Sequence, residues 1–291
     1  MDVRVLRYFL AVAREENITR AAGSLHIAQP SLSKQLMELE QELGKTLLIR
    51  GKRKITLTEE GVLLRKRAEE IVELMDKTER ELSADAGQLS GEISIGGNLH
   101  PSLLNAAAKL REGHPGVSFQ FYSNDATDVT ERLMHGTLDF TTLLAPVDAS
   151  RYEALRLPEH SHWGLLVRAD SPMAEASCVH REDVQNLPLI MHRRAGLQQS
   201  IAEWAHTRPE RLNIAASYNV IYGNPLLLVQ SGLGNLLVTR DLLAPELDPS
   251  VRFLPLDPLL ETHYLLVWKK NATLTKQAER FLSMLTMLTG R

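Results

Sequence analysis

Apolar residues recur at helical spacing in three successive segments near the start of the chain. The first segment places them at i, i+3, i+4 and i+7, on one face of a helix: Leu6, Phe9, Leu10 and Ala13. After a break at Glu16-Asn17, a second helix is predicted to open at Ile18, with Thr19 as its cap. A third helix is predicted from residues spaced by four, three and four, all expected to face the core: Leu32, Leu36, Leu39 and Leu43.

The pattern then changes to two short apolar strands around a basic turn. Gly44 ends the third helix, and the predicted strands are Leu47-Leu48-Ile49 and Ile55-Thr56-Leu57-Thr58. The turn between them is Arg50-Gly51-Lys52-Arg53-Lys54. Three helices followed by a β-hairpin predict a winged helix-turn-helix domain over residues 1–58.

Residues 59–87 predict one long linker helix, because neither proline nor glycine occurs between Val62 and Ala86. Its apolar residues are spaced by four and three, as in the seam of a coiled coil. The seam consists of Leu64, Ala68, Ile71, Met75, Thr78 and Leu82. Such a seam either packs on its own domain or pairs with a second chain. The predicted helix lies between the small domain of residues 1–58, which we call the head, and a separate region over residues 91–291, which we call the body. This position favours dimerisation.

Strand and helix patterns alternate over residues 91–291. The first five elements run at 92–96, 99–112, 117–122, 127–135 and 138–144, in the order βαβαβ. That order predicts a largely parallel, three-layer α/β sheet. Further strands are predicted at 161–167, 188–192, 212–218, 235–239 and 262–268, and further helices at 197–207, 225–231 and 275–288.

Composition separates a basic head from an acidic body. The net charge of the chain is −3, yet residues 1–58 hold ten basic and six acidic residues. This asymmetry is typical of a nucleic-acid-binding module attached to a soluble domain. The one cysteine, Cys178, excludes an internal disulfide, fits a reducing cytosol and is expected to be an unreactive passenger. No apolar run is long enough for a membrane span, so we expect a cytoplasmic protein.

The outward face of the third helix carries side chains that contact nucleic acid in other proteins. Pro30 lies near the first turn, where its missing N–H costs nothing. Gln29 precedes that turn, and Ser33 and Lys34 lie on the flank or outer side, where they can pair with base edges and phosphates in the major groove. The alternative is that Gln29 and Ser33 only cap and solvate the helix. The basic hairpin beside it favours DNA binding, since such a wing can contact phosphates or the minor groove.

Residues 18–61 carry a dense set of motifs. They are Ile18-Thr19-x-Ala-Ala-x-x-Leu25, Ala28-Gln29-Pro30-Ser31-Leu32-Ser33-x-Gln35-Leu36, Leu39-Glu40-x-x-Leu43-Gly44-x-x-Leu47-Leu48-x-Arg50-x-x-Arg53 and Leu57-Thr58-x-x-Gly61. The set resembles the LysR-type transcriptional regulators, with Leu48 and Glu60 where that family more often has Phe and Ala. The resemblance implies dimerisation through the linker helix and DNA contacts from Gln29, Pro30, Ser33, Lys34, Arg50 and Arg53.

The order of elements in the body resembles the effector domain of the same family, a two-lobed, periplasmic-binding-protein-like α/β fold. The resemblance implies an effector-binding domain over residues 91–291. Lobe I is expected at about 91–160 and 263–291 and lobe II at about 161–262. The chain is expected to cross between the lobes near Pro158–Ser161 and Pro255–Thr262.

Three loops of the body are candidates for binding an anion. Ligands of open α/β sheets lie beyond the carboxyl ends of strands, near helix N-termini that attract negative charge. The candidate residues are Asn98, His100, Ser102, Thr127, Arg193 and Arg194. Ala126 stands where the family commonly has a hydroxyl residue. In the alternative, the loops show ordinary capping chemistry, and the two arginines are solvated or support a subunit interface.

The two alternative functions are an enzyme and a constitutive architectural DNA-binding protein. An enzyme would need a catalytic motif, yet no HExxH, GxSxG, Walker A or zinc-type cysteine spacing occurs, and His160-x-His162 is the only close histidine pair. A constitutive architectural DNA-binding protein would not need a two-lobed body. We therefore expect a sequence-specific transcription regulator, without cofactor, metal or catalysis. Its expected partners are double-stranded DNA, a small and anionic effector such as a carboxylate, a homodimer or homotetramer of the chain, and RNA polymerase.

Overall fold

The computed structural model describes residues 1–51, 54–82, 89–193, 195–219, 224–244 and 246–290. Two compact units make up the chain: Met1–Glu92 with His135–Thr137, and Ile93–Met134 with Leu138–Arg291. Each unit has its own hydrophobic core. Within the described ranges, no helix has both the length and the apolar character that crossing a membrane requires.

The first unit contains three helices, a two-stranded hairpin and a long helix. They are α1 (Val3–Glu15), α2 (Ile18–Ser24), α3 (Gln29–Leu43), β1 (Leu48–Arg50), β2 (Ile55–Leu57) and α4 (Glu59–Leu82). Asn17 caps α2, because its side chain accepts a hydrogen bond from the backbone N–H of Arg20 at 3.0 Å. The prediction that Thr19 is the cap is wrong, since Ile18 is already helical. Gly44 ends α3 with a φ of 63°, a conformation that glycine adopts without strain.

The core of this unit lies between α1, α2, α3 and the hairpin. Its buried residues include Phe9, Val12, Ala21, Ala22, Leu32, Leu36, Leu39, Leu47, Leu48 and Ile55. Leu43 is exposed rather than buried, because α3 is in its last turn there and the core has ended. On α1, Val5 and Val12 are buried while Leu10 and Ala13 are only half-buried, so the inner face is rotated slightly from the predicted one.

Only part of the predicted seam on α4 is open to a second chain. Ala68 is fully buried within the unit, and Leu64 packs against the core of the head. These two residues therefore serve the protomer itself, and the prediction that they offer a dimerisation surface needs correction. Arg7 of α1 forms an ion pair with Asp76 of α4, which fixes the two helices side by side. Ile71, Met75 and Leu82 are exposed.

The second unit is built on a mixed nine-stranded sheet with helices packed on it. Its elements are β3 (Gly91–Gly96), α5 (Pro101–Gly113), β4 (Val117–Tyr122), α6 (Ala126–His135), β5 (Phe140–Leu144), β6 (Tyr152–Arg168), α7 (Arg181–Asn186), β7 (Leu189–His192), α8 (Ala195–Trp204), β8 (Ile214–Tyr218), α9 (Asn224–Gln230), β9 (Asn235–Thr239), β10 (Val251–Pro255), β11 (Glu261–Lys269) and α10 (Lys276–Thr289). The strand order is β4-β3-β5-β11-β6-β9-β7-β8, and β10 also pairs with β6.

The long strand β6 joins two halves of this sheet. Residues 152–162 pair antiparallel with β11, whereas residues 163–168 pair with β9 and β10. We call the half with β3, β4, β5 and β11 lobe I and the half with β7, β8, β9 and β10 lobe II. The chain returns from lobe II to lobe I between Pro255 and Glu261. The chain passes from lobe I to lobe II inside this strand, where its partner changes between His162 and Trp163, next to the predicted crossing at Pro158–Ser161.

Candidate nucleic-acid interface and ligand cavity

The first turn of α3 presents an exposed polar face. Gln29 is the first helical residue, Gln29, Pro30 and Lys34 are exposed, and Ser33 is half-buried. The Lys34 ammonium lies 3.7 Å from the carboxylate of Glu38, one turn along the helix. An exposed pair of this kind contributes little to stability in water, so a phosphate group can take the place of the Glu38 carboxylate.

The hairpin beside α3 presents further positive charge. Arg50 is exposed at the end of β1, and β1 pairs antiparallel with β2. Lys54 lies 3.4 Å from the carboxylate of Glu16, at the end of α1. The turn is closed by the backbone N–H of Gly51, which donates to the carbonyl of Lys54 at 3.1 Å. Arg53, predicted to approach DNA, lies outside the described residues.

Three sets of hydrogen bonds fix the hairpin to the helices. One carboxylate oxygen of Glu40 on α3 accepts the backbone N–H groups of Leu47 at 2.7 Å and Leu48 at 3.1 Å. The N–H of Ile55 donates to the carbonyl of Glu16 at 2.8 Å. Thr58 donates its hydroxyl to the carbonyl of Thr46 at 2.7 Å and accepts the N–H of Gly61 at 2.9 Å. The wing is thus held in a set position relative to α3.

Gly61 marks a close approach of α4 to the hairpin. A Cβ at this position would lie 2.2 Å from the carbonyl oxygen of Leu47 and 3.3 Å from the Cβ of Leu57. The first distance is not sterically allowed without movement of the backbone, and the second is a tight contact. The glycine in the Leu57-Thr58-x-x-Gly61 motif is therefore explained by packing between the long helix and the wing.

A cavity of about 440 Å³ lies between the two lobes of the second unit. Backbone and side chains at the ends of β3, β5, β7 and β8 line it, together with the start of α8. Its polar and aromatic lining includes Asn98, Thr142, Trp163, His192, Tyr218, Thr239, Glu261 and Tyr264. Its apolar lining includes Leu143, Leu144, Ile201, Val238 and Leu260. Cavities of this size and composition bind small organic molecules.

Asn98 is the predicted effector residue that does line this cavity. Its backbone carbonyl accepts a hydrogen bond from the hydroxyl of Thr142 at 2.8 Å. The preceding Gly97 has a φ of 89°, and a Cβ there would lie 2.5 Å from the same hydroxyl oxygen. Glycine at 97 therefore lets β3 turn sharply beside β5, which places Asn98 at the cavity wall.

Two of the predicted anion loops already hold carboxylates of the protein. Ser102, at the start of α5, donates its backbone N–H at 2.6 Å and its hydroxyl at 2.8 Å to the carboxylate of Glu159. At the start of α6, the N–H groups of Thr127 and Asp128 donate to Asp125 at 2.9 and 3.0 Å. Neither Ser102 nor Thr127 is among the described residues that line the cavity. The prediction that both hold the effector directly needs correction on this ground.

Arg193 likewise has a partner within the chain. Its guanidinium lies 2.7 Å from the second carboxylate oxygen of Asp125, so it joins lobe II to lobe I at the cavity. The pKa of Asp125 is lowered, first by the backbone hydrogen bond from Asp128 and then by Arg193, Thr127 and Asn219, against the opposing effect of burial. Arg193 is not among the described lining residues. Arg194 lies outside the described residues.

His100 is buried behind the cavity wall. Its ring packs on Tyr264 with 4.2 Å between centroids, and its Nε2 has no hydrogen-bond partner within the described structure. Burial lowers the pKa of His100, and the negative charges of Glu159 and Asp241 oppose that shift. A neutral histidine behind Tyr264 supports the wall rather than contacting a ligand, which corrects the prediction that His100 binds the effector.

Two family models match this chain. The model of the bacterial regulatory helix-turn-helix protein, lysR family, matches residues 3–62, and that of the LysR substrate binding domain matches residues 86–288. The chain belongs to the LysR family. Residues 3–62 are therefore the DNA-binding domain and residues 86–288 the effector-binding domain of a transcription regulator, as the motifs at residues 18–61 and the order of elements in the body predicted. The family consists of transcription regulators and not of enzymes.

Individual LysR-type relatives match along nearly the full chain. The transcriptional regulator BsdA of Bacillus subtilis (strain 168) is 28% identical over 295 residues, which cover 98% of this chain and 100% of BsdA. BudR of Raoultella terrigena is 27% identical over 292 residues, with 98% and 100% coverage. Full-length CbnR in complex with its target DNA has a TM-score of 0.75 at 21% identity and covers 99% of this chain and 100% of that one. At that identity, the likeness to CbnR shows the fold alone.

Sequence patterns missed most of the cavity wall of this LysR family member. Trp163, Tyr218 and Tyr264 line the cavity, yet each lies within a strand whose neighbours are far away in the chain. Burial raises the pKa of Tyr218, whose hydroxyl donates to the carbonyl of Leu237 at 3.4 Å. An aromatic residue in a strand pattern gives no indication of which face it lines, so no local signal identified these three.

Proposed function

We propose that this regulator acts in the cytoplasm, binds an operator through α3 and the β1–β2 wing, and responds to a small effector held between the lobes. One observation carries the proposal: a single chain combines an exposed polar face on a LysR-type head with a cavity of about 440 Å³ in its body. A DNA-binding protein that acts without a ligand would have no need of such a cavity. The mixed aromatic and polar lining suits a small organic ligand.

The effector in this proposal is an organic anion whose charged group lies at the start of α8. The starts of α5 and α6 are occupied by the carboxylates of Glu159 and Asp125. At α8, His192 and Gly196 both line the cavity, so an imidazole and the N-terminus of a ten-residue helix face the ligand together. Helix N-termini attract anions, typically by 0.3–1 kcal/mol at exposed sites and by as much as ~2 kcal/mol when partly buried.

The apolar lining defines the rest of the proposed ligand. Leu143, Ile201 and Val238 line the cavity beside Trp163. An apolar or aromatic body of the effector would be buried against these side chains, with a gain of roughly 25 cal/mol for each Å² removed from water. A branched-chain or aromatic carboxylate fits both requirements.

Assembly through α4 completes the proposal. The exposed apolar residues Ile71, Met75 and Leu82 leave a surface on the long helix that a second copy can cover. A homodimer places two heads on an inverted repeat and doubles the number of phosphate contacts, and a homotetramer extends the same arrangement. Effector binding then changes how the heads sit on the promoter, and with it the access of RNA polymerase.

The test is a thermal-shift screen of the purified chain with matched pairs of ligands. Each apolar carboxylate is compared with its amide, which has the same shape but no charge. We expect a subset of carboxylates to raise the melting temperature, because binding to the folded state alone stabilises it, and the matching amides to do so less. Equal shifts from acid and amide would contradict the anionic class, and no shift from any small molecule would contradict effector sensing.

Two variants of α8 control for binding elsewhere. Ser200 is exposed on the helix and lines the mouth of the cavity, whereas its neighbour Gln199 is exposed and is not among the described lining residues. Ser200→Trp should fill the mouth and abolish the ligand-induced shift. Gln199→Trp adds the same side chain outside the cavity and should leave the shift as it is in the wild type.

A further inference from the structure

Three potential metal ligands from two distant segments meet on lobe II, and none of them is among the described residues that line the cavity. Cys178 and His180 flank Val179, and Asp257 follows Leu256. Val179 and Leu256 form a parallel β-bridge. The N–H of Val179 donates to the carbonyl of Pro255 at 2.9 Å, and the N–H of Asp257 donates to the carbonyl of Val179 at 2.8 Å. These two hydrogen bonds fix the backbone on which the three side chains stand.

The ligand atoms of the three residues form a compact group. One atom from each residue lies within 4.8 Å of the other two. The sulfur of Cys178 is 3.8 Å from Nε2 of His180, and Nδ1 of His180 is 3.3 Å from a carboxylate oxygen of Asp257. The thiol is half-buried, and the other two side chains are exposed. Within the described parts of the chain, this is the one such group of histidine, cysteine and acidic side chains.

The separation between the Cys178 sulfur and Nε2 of His180 is close to that which a tetrahedral metal ion imposes. Zinc binds sulfur at about 2.3 Å and imidazole nitrogen at about 2.0–2.1 Å, which places the two ligand atoms roughly 3.5 Å apart. The separation between Cys178 and His180 exceeds that by a few tenths of an ångström. The two contacts of His180 use different ring nitrogens, Nε2 towards Cys178 and Nδ1 towards Asp257, and one ion can take only one of them. Because His180 and Asp257 are exposed, rotation of their side chains can bring one nitrogen, the sulfur and a carboxylate oxygen onto one ion without movement of the backbone bridge.

We propose that Cys178, His180 and Asp257 bind a divalent transition-metal ion of the zinc class, with water in the fourth position. A thiolate and an imidazole select such ions over magnesium and calcium, which prefer oxygen ligands alone. The thiolate and the carboxylate together balance the charge of the ion. Three protein ligands leave one position open for exchange. The proposal departs from the expectation that Cys178 is an unreactive passenger, because Asp257, which completes the group, is far away in the chain.

The site joins two segments that the cavity also depends on. Asp257 begins the stretch that returns the chain from lobe II to lobe I, and Leu260 and Glu261 in that stretch line the cavity. The indole N–H of Trp204 donates to the carbonyl of Pro258 at 2.9 Å and fixes the middle of the stretch. A bound ion would add a cross-link between Asp257, the first residue of this stretch, and Cys178 and His180 in the segment before α7. Metal binding should therefore raise the melting temperature of the protein by several degrees at saturation.

The test exploits the fact that the chain has a single cysteine. A disulfide reagent that releases a coloured thiol reports on Cys178 alone. In the full-length protein, stoichiometric Zn²⁺ should slow this reaction at least tenfold, and a chelator should restore the rate. Co²⁺ in place of zinc should produce the thiolate-to-metal charge-transfer absorption in the near ultraviolet. That band should be absent in Cys178→Ser and should need at least tenfold more Co²⁺ in His180→Asn and Asp257→Asn.

His160→Asn is the matched control, since His160 is exposed like His180 and is not one of the three proposed ligands. Its cobalt band and thiol protection should equal those of the wild type. Circular dichroism of each variant checks that it is folded. An unchanged thiol reaction rate with Zn²⁺, or a cobalt band that persists at wild-type affinity in both His180→Asn and Asp257→Asn, would overturn the proposal.

Discussion

Lys34 is the residue on α3 best placed to contact a phosphate, because its side chain is exposed near the start of the helix. Its ion pair with Glu38 is exposed to water and therefore weak. Lys34→Ala should weaken binding to operator and to unrelated DNA alike. It should also reduce the slope of log affinity against log salt by about one, since one fewer counterion is released. Gel-shift titrations at several salt concentrations measure both.

Lys109→Ala is the control for Lys34, because it removes a lysine that is likewise exposed but lies in the effector-binding domain. It should leave the affinity and the salt slope unchanged. Loss of operator affinity in Lys34→Ala with no loss on unrelated DNA would show that Lys34 contacts a base rather than the backbone.

Gln29 and Ser33 are predicted to contact base edges rather than phosphates. Both lie on the first turn of α3, Gln29 exposed and Ser33 half-buried. Gln29→Ala or Ser33→Ala should reduce the discrimination between operator and unrelated DNA by roughly 1–3 kcal/mol, while non-specific binding stays the same. Competition gel shifts give the ratio directly. If both variants discriminate like the wild type, the two side chains only cap and solvate the helix.

The contact between Arg193 and Asp125 makes a prediction about pH. The pKa of Asp125 is lowered in the folded state, so its stabilising contribution is present above the unfolded-state pKa and is lost as pH falls through the folded-state value. Arg193→Ala should lower the melting temperature near neutral pH, by a small amount because the arginine side chain is 60% exposed. The difference from the wild type should shrink under acidic conditions, where Asp125 is protonated.

Thermal melting scans from neutral to acidic pH test the predicted pH dependence of Arg193→Ala. The control is Arg208→Ala, which removes another arginine of lobe II and should not show that pH dependence. A difference between Arg193→Ala and the wild type that does not change with pH would show that the guanidinium stabilises the fold by packing and not through the Asp125 carboxylate.

At the scale of single elements, the position of the wing depends on Glu40. Its carboxylate accepts two backbone N–H groups at the start of the hairpin. Glu40→Ala leaves both amides without that acceptor, which should cost about 1–3 kcal/mol of unfolding free energy and weaken operator binding through a loosened wing. Glu40→Gln retains an acceptor oxygen and should lose less. Denaturant unfolding and gel shifts measure the two effects.

Glu42→Ala controls for loss of charge on the same helix, since Glu42 is exposed and pairs only with the N-terminal ammonium among its described contacts. It should change stability by a few tenths of a kcal/mol at most, as is usual for exposed pairs. Equal destabilisation by Glu40→Ala and Glu42→Ala would contradict an anchoring role for Glu40.

The elements themselves followed largely from local patterns. The apolar spacing and turn residues indicated α1, α3 and the wing to within a few residues, because each has its own periodicity or breaker. The full length of β6 did not follow: the pattern predicted a strand only at 161–167, whereas the structure has an unbroken strand from Tyr152 to Arg168. The pairing of β6 with β11 shifts register next to Pro158, so the proline needs no ladder hydrogen bond there.

The hydrogen-bond partners of the predicted effector-binding residues could not be predicted from local sequence patterns. Ser102 meets Glu159, and Arg193 meets Asp125, across 57 and 68 residues of sequence. Spacing rules report neighbours within a helix turn or a strand pair. These contacts are instead set by tertiary packing, within lobe I for Ser102 and between the lobes for Arg193. At two of the three predicted anion loops, the group bound is a carboxylate of the protein itself, Glu159 or Asp125.

For the whole molecule, we predict that α4 brings two heads together on DNA. Ile71 lies in the middle of the helix, is 37% exposed and is followed by the exposed Met75 one turn later. Because Leu64 and Ala68 are already packed within the protomer, the seam available to a second copy begins near Ile71. Ile71→Lys should cost the monomer little and should place a desolvated charge against its symmetry mate in a dimer.

Analytical ultracentrifugation of Ile71→Lys should therefore show monomers under conditions where the wild type forms dimers or tetramers. Operator affinity should fall at least tenfold with it, because one head neutralises half as many phosphates as two. Leu227→Lys adds the same charge to an exposed leucine of α9 in the effector-binding domain and should leave assembly intact. An oligomer that survives in Ile71→Lys would move the dimer contact away from this stretch of α4, and the effector-binding domain would then be the place to search for it.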